Sequence, residues 1–268
     1  MLDLGQYTSL WGVTAYFLIF FLGLIIGSFL NSIIWRLWDN IAIFARTRSI
    51  CVHCRQQLSW KENIPLFSYL MLRGKCLHCH RNISKFYPWV EFITAVIITL
   101  VARHYLPLGN FSEWSFLRDL FFVAFLVVIF IQDLRYQVIF PAVVWSGTII
   151  GLIINISFLN YNFNSLLLGA ILGGGFFGAQ YLLSKGQWIG GGDVRMGIMM
   201  GVWLGWQNLL VALFIAYILG AVVAVILLTL KKAQAKTAVP FGTFLAIGTL
   251  VALYWGTDLI NWYLSFLR

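Results

Sequence analysis

The chain has 268 residues, of which 61% are hydrophobic, 17% aromatic and only 10% charged, with a mean hydropathy of +0.87. A soluble domain carries about 25% charged residues, so no water-facing surface can be built from this composition; a soluble enzyme, a nucleic-acid module and a disordered chain are excluded. The formal charge of +9, from 18 Lys and Arg against 9 Asp and Glu, then reads as basic cytoplasmic loops and implies no nucleic-acid partner.

A membrane-crossing helix needs about 20 apolar residues. Apolar runs predict spans near 12–34, 88–106, 117–132, 138–158, 164–183, 194–206 (a short one), 208–230 and 241–264. The expected fold is therefore an all-α polytopic membrane protein of about eight transmembrane helices with a small cytoplasmic insert. Three regions follow: an N-terminal helix over 1–34, the insert over 35–87 and a seven-helix membrane domain over 88–268. With both termini outside, the segments 35–87, 133–137, 184–193 and 231–240 are cytoplasmic, and of the 18 basic residues only Arg103, Arg118 and Arg268 lie outside. That asymmetry favours this orientation over its inverse. The first apolar run exceeds the h-region of a signal peptide and lacks a small-residue cleavage site, so it reads as a span that stays. Glycines at four-residue steps (Gly23 and Gly27, Gly147 and Gly151, Gly174 and Gly178, then Gly197, Gly201 and Gly205) predict close helix packing in lipid. No internal repeat is legible.

The insert holds all four cysteines, as Cys51-Val-His-Cys54 and Cys76-Leu-His-Cys79. Two CxxC turns place four thiolates where a structural Zn²⁺ takes them, and a closed four-cysteine site leaves no position for activating water. Two disulfides are the alternative, disfavoured by a reducing cytoplasm. His53, His78 and His80 are expected to be bystanders. In so small an insert the metal supplies much of the folding energy.

Acids in or beside spans are functional candidates because they are costly there. Asp3, Glu113, Asp119 and Asp258 fall near the outer side, and Asp39 and Glu62 in the insert. Glu91, Asp133 and Asp193 remain, at cytoplasmic ends of spans. Alone, Asp193 reads as a helix N-cap after Gly190-Gly191-Gly192, and Asp133 as an interfacial charge paired with Arg135. Together they read differently. Asp193, Gly197, Gly201 and Gly205 recur every four residues, so the close-packing stripe also carries the acid. If the third span lies against it, two carboxylates face each other as an aspartic dyad, one activating water and the other protonating the substrate. Helix dipoles would make Asp193 the initial base and Asp133 the acid.

These residues carry a resemblance to the type IV prepilin peptidases. Gly23-Leu-Ile-Ile-Gly27-Ser28-Phe29-Leu30-Asn31 resembles the family's first span. Arg48-Ser49-Ile50-Cys51, Asn63-Ile64-Pro65-Leu66 and Arg73-Gly74-Lys75-Cys76 resemble its zinc insert. Tyr87-Pro88-Trp89-Val90-Glu91 resembles the start of its second span, Val239-Pro240-Phe241-Gly242 that of its last, and Gly190 to Asp193 its GxGD signature, with Gly190 and Gly192 the glycines. The resemblance implies a bifunctional enzyme of the bacterial plasma (inner) membrane. Such an enzyme cleaves prepilin or pseudopilin leaders after glycine at the cytoplasmic face and N-methylates the new N-terminus, with S-adenosylmethionine as donor. It further implies Asp133 and Asp193 as catalytic residues and Cys51, Cys54, Cys76 and Cys79 as zinc ligands, with Glu91 and Gly74 as candidates for methyl transfer. A peptidase without methyltransferase activity and a catalytically silent zinc-bearing scaffold are the alternatives. Two departures stand out. Ile139-Phe140-Pro141-Ala142 replaces the family's Ile-Pro-Asp, and Thr243 replaces a proline after Phe-Gly.

Overall fold

The computed structural model describes residues 10–43, 48–105, 112–230 and 239–267. Asp3 and Arg268, placed above, and four of the basic residues counted as cytoplasmic, Arg46, Lys231, Lys232 and Lys236, lie outside the described residues. The elements are α1 (Leu10–Trp38), a short 3-10 helix (Trp60–Asn63), α2 (Phe67–Met71), α3 (Phe86–Tyr105), α4 (Glu113–Tyr136), α5 (Pro141–Ser157), α6 (Phe163–Leu183), α7 (Gly191–Thr229) and α8 (Phe241–Ser265). Six of these, α1, α3, α4, α6, α7 and α8, are long and apolar enough to cross a membrane, and α5 is a shorter apolar helix of 17 residues. Against the expected eight runs, α5 is the short one and α7 carries two of them. Packing divides the chain into two compact units, 1–120 and 121–268.

In the first unit α1 and α3 pack through glycine. A Cβ on Gly23 would lie 2.6 Å from Ala95 Cα, and one on Gly27 2.7 Å from Glu91 Cα. Asn31 reinforces the pair by donating to the Tyr87 carbonyl at 3.0 Å. On the side expected to be outer, Arg118 and Asp119 are buried as an ion pair of 2.6 Å, and Tyr105 donates to the same carboxylate at 2.6 Å. That acid is neutralised and fully partnered, a structural role.

The insert contains a repeat that residue identity alone obscures. Ile50 bridges Gln57 and Lys75 bridges Asn82, both antiparallel. The residues after each second cysteine, Arg55 and His80, share the left-handed conformation at φ 59° and 57°. The segment from Arg48 to Ser59 thus recurs as Arg73 to Ser84, sharing little beyond an arginine, the Cys-x-His-Cys core and a closing serine. The repeat is conformational, since the knuckle dictates backbone shape more than side chains.

In the second unit α6 and the start of α7 run antiparallel with backbones touching. A Cβ on Gly173 would collide with the Gly197 carbonyl, and one on Gly201 with Gly169. Farther along α6, Gly178 lies beside Val194, while the Gln180 side chain accepts a hydrogen bond of 3.0 Å from Tyr217. On a straight helix Val194 and Tyr217 would be about 35 Å apart. The chain therefore reverses within α7, at Gly205, whose φ of 71° and ψ of 173° are open only to glycine. The second arm then pairs antiparallel with α8, Asn208 meeting Gly256 and Ala216 meeting Gly248. Met199, Trp203 and Phe122 fill the centre, with Trp203 stacked on Phe122 at 4.4 Å and donating to the Gly147 carbonyl at 3.0 Å.

Candidate functional site

Three helix ends converge in the second unit. Asp133 lies in the last turn of α4, Asp193 in the first turn of α7, and the start of α8 meets them. Both carboxylates are buried, at 6% and 9% exposure, and each lies within the other's electrostatic field. Asp193 Oδ2 accepts the Gly190 N–H at 3.1 Å, closing the glycine turn as an N-terminal box. Asp133 Oδ2 accepts the Thr243 N–H at 2.9 Å, and the Gly242 N–H also points to this carboxylate. The free amides at the start of α8 thus cradle an acid 110 residues earlier in the chain.

Ile139 is the wedge that joins these ends. A Cβ on Gly192 would lie 3.0 Å from Ile139 Cβ, and one on Gly242 would lie 2.8 Å from Ile139 Cδ1 and 3.0 Å from Asp133 Cγ. Glycine at 192 and 242 is therefore a matter of space. The loop carrying Ile139 is tied back to α4, where the Gln132 side chain accepts the Phe140 N–H at 3.4 Å, and Pro141 then starts α5. This loop, where the sequence departs from the family's pattern, lies directly beside Asp133.

Two expectations need correction. The stripe of Gly197, Gly201 and Gly205 does not face α4: it packs on α6, through Gly169 and Gly173. The reason is drift, since a four-residue step advances 40° beyond a full turn, which carries the later glycines off the face that holds Asp193. The Arg135 guanidinium, two residues on from Asp133, lies 5.3 Å over the Tyr136 ring. Finally, the start of α8 places a second positive helix end at Asp133, so the ends of α4 and α7 alone do not divide base from acid. The Thr243 and Gly242 amides were missed as functional groups. Pro240-Phe241-Gly242 marked a helix start, but nothing in the sequence said which side chain that start would meet.

In the first unit the four cysteine sulfurs lie within 4.8 Å of one another, all as free thiols. Tetrahedral S₄ coordination needs sulfurs about 3.8 Å apart, so the cluster fits a metal ion. Burial alone would push the Cys51 thiol up. Hydrogen bonds from the backbones of Cys54 and His53 and from the neighbouring thiols outweigh it, bringing it down to about 7. Cys54 accepts the Gln56 backbone N–H, yet desolvation and the adjacent sulfurs push it up to about 11. A cation bound among these four sulfurs would take the place of the thiol protons. The histidines are not in the cluster. Instead His78 lies 3.6 Å from Glu62, which also accepts from the Ser59 amide and hydroxyl at 2.8 and 2.7 Å. His78 thereby ties the second knuckle to the 3-10 helix.

Glu91 is buried at 8% exposure and accepts the Leu66 N–H at 2.8 Å and the Ser28 hydroxyl. Gly74 occupies a left-handed turn at φ 69° beneath the Tyr69 ring. Glu91 is thus linked to α1 and the insert, and Gly74 to the second knuckle.

Residues 21–105 match the family model of the bacterial peptidase A24 N-terminal domain, and residues 120–225 that of the type IV leader peptidase family. The chain is 35% identical over 274 residues to a prepilin leader peptidase/N-methyltransferase of Stutzerimonas stutzeri, covering 92% of this chain and 93% of the relative. A protein of the same description from Aeromonas hydrophila is 32% identical, covering 92% and 93%. One from Pseudomonas aeruginosa is 33% identical, covering 91% and 92%. No solved structure matches the chain significantly.

Proposed function

The chain belongs to the type IV leader peptidase family, and from that premise we propose how its residues divide the work. It is a polytopic membrane enzyme, a prepilin leader peptidase and N-methyltransferase. Prepilins or pseudopilins are its protein substrates.

Hydrolysis belongs to Asp133 and Asp193, and the observation that carries this is their burial at three converging helix ends within each other's field. One carboxylate takes a proton from water as the water oxygen bonds to the scissile carbonyl carbon. The other gives its proton to the carbonyl oxygen, forming a gem-diol. Collapse of the gem-diol breaks the C–N bond: one gem-diol hydroxyl gives its proton to the ionised carboxylate while the departing nitrogen takes the proton of the other, so the dyad again holds one proton. Gly190 and Gly192 hold Asp193 in place, and the α8 amides hold Asp133. The cut falls after glycine, at the cytoplasmic face of the bacterial inner membrane.

Eight crossings with both termini outside account for the basic residues, if α5 crosses and the two arms of α7 cross separately. The regions 1–34, 35–87 and 88–268 then correspond to the first span, the insert and the remaining helices. The metal of the insert is zinc, held by Cys51, Cys54, Cys76 and Cys79, and it organises the insert. S-adenosylmethionine, when bound, supplies an electrophilic methyl group. Glu91 fits such a cationic donor, because it is a buried carboxylate that no cation pairs with among the described residues. Gly74 supports this half by shaping the second knuckle.

The test is co-expression with a prepilin bearing a Gly-Phe junction, read by mass spectrometry of the product's N-terminus. Wild type yields a cleaved, methylated chain, whereas Asp133→Asn and Asp193→Asn leave the leader on. Full processing by either variant removes the dyad assignment.

A further inference from the structure

The first unit contains a cavity of about 260 Å³ between the cytoplasmic end of α1 and the insert, with Ser28, Phe29, Ser32, Arg36, Ser49 and Asn63 among its walls. Ser28, Ser32 and Arg36 recur every four residues and so form one polar stripe at the cytoplasmic end of α1. A polar stripe is costly in a spanning segment and marks a contact with something polar. Arg36 is buried at 9% exposure, and its Nη1 donates to the Ile43 carbonyl at 3.0 Å, which holds the guanidinium at the cavity wall. Ser28 lines the cavity and also donates to Glu91. A guanidinium therefore stands on the wall, and a carboxylate without a cation partner among the described residues lies one hydroxyl behind it.

These two charges define the ligand. A plain anion would suit Arg36 but be repelled by Glu91, and a plain cation the reverse. A ligand carrying an α-carboxylate and a nearby fixed positive charge satisfies both. Resting on the methyltransferase reading above, we propose that this cavity holds the aminoacyl and sulfonium end of S-adenosylmethionine. The carboxylate lies toward Arg36, Ser32 and Asn63, and the sulfonium toward Ser28 and Glu91. The volume is just below the ~300–1,000 Å³ of whole-ligand pockets, which suits one arm of a donor whose nucleoside extends out of the cavity. Ser49 lies two residues before Cys51 and accepts through its carbonyl from Leu58, and Asn63 ends the 3-10 helix, so the metal knuckle builds one wall. Donor binding should therefore depend on the metal.

The test is equilibrium dialysis of radiolabelled S-adenosylmethionine against the full-length protein in nanodiscs, using wild type, Ser32→Leu, which fills the cavity, and Arg36→Gln. Each substitution is expected to weaken binding by about tenfold or more, the cost of one charged hydrogen bond or of the lost space. Cleavage of the Gly-Phe prepilin should stay within about twofold, because the dyad and the amides that hold it are built from the second unit. Unchanged binding in both variants places the donor elsewhere and overturns the proposal while leaving the methyltransferase reading intact. A wild type that neither binds nor methylates removes that reading, and the proposal with it. Native mass spectrometry covers the other occupant: a phospholipid retained by wild type and lost from Ser32→Leu, with donor affinity unchanged, makes the cavity a lipid site. Where Arg36→Gln loses its metal, Ser32→Leu decides.

Discussion

The cysteine cluster and the aspartate site solve the same problem, bringing charge-bearing groups together, by opposite means. Each knuckle is a local turn with a left-handed residue behind it, so the site needs only two such turns to meet. The aspartate site has no local form. Asp133 and Asp193 are 60 residues apart and the amides that hold Asp133 come 50 residues later still. A site of the first kind is lost by removing its ligands or metal. One of the second kind is lost by anything that shifts a helix end, including a single methyl group.

The contrast is broken most sharply at the acids themselves. Asp133→Asn or Asp193→Asn should lower cleavage by at least the ~10²–10⁴-fold of lost general acid–base catalysis, while metal content by atomic emission stays unchanged. Cys76→Ser should do the reverse. Bound metal is lost, and S-adenosylmethionine binding with it, because structural zinc supplies of order 10 kcal/mol to folding, while residual cleavage exceeds that of the aspartate variants. Gly242→Ala inserts a methyl 3.0 Å from Asp133 Cγ, and kcat for cleavage should fall about 10²-fold from misplacement alone, with thermal stability little changed. Thr243→Pro restores the family's usual residue but deletes the N–H that Asp133 accepts. The helix tolerates proline in its first turn, so the enzyme folds and kcat changes by about tenfold, the measure of one charged hydrogen bond.

The smallest effect concerns the link between knuckle and 3-10 helix. Burial opposes ionisation of Glu62, but the Ser59 amide and hydroxyl and then His78 outweigh it and hold the carboxyl below its ordinary 4.5. Stability from this group is therefore full above the ordinary value and lost as pH falls through the folded value. Glu62→Gln should cost the insert about 1 kcal/mol near neutral pH and nothing in strong acid, as read by pH-dependent thermal melts. Metal binding should weaken at higher pH than that, as protons compete for the Cys51 thiolate below about 7.

Much of the cysteine site was legible in the sequence, because its chemistry and its geometry share the same four-residue windows. Its repeat was not, since Arg48–Ser59 and Arg73–Ser84 agree in backbone shape more than in residues. The aspartates stood out through scarcity, nine acids in 268 residues, but the reason offered for their meeting, a shared glycine stripe, fails on helical drift. Gly205 was read as one more packing glycine, yet it is where α7 reverses. A positive φ leaves no trace in the identity of a glycine that also fits a packing role.

Composition and motif spacing by themselves determined the membrane class, the run of apolar segments, the four-cysteine cluster and the short list of acids. All of these depend on residue type within one or two turns of chain. Tertiary structure alone decided that α8 offers its amides to Asp133, that Ile139 wedges between Gly192 and Gly242, that α6 takes the glycine stripe, and that a polar cavity opens beside Glu91. Each is a meeting of surfaces distant in sequence. In lipid, where apolar side chains gain little from leaving the solvent, such meetings are set by the fit of backbone against backbone, which hydropathy does not encode.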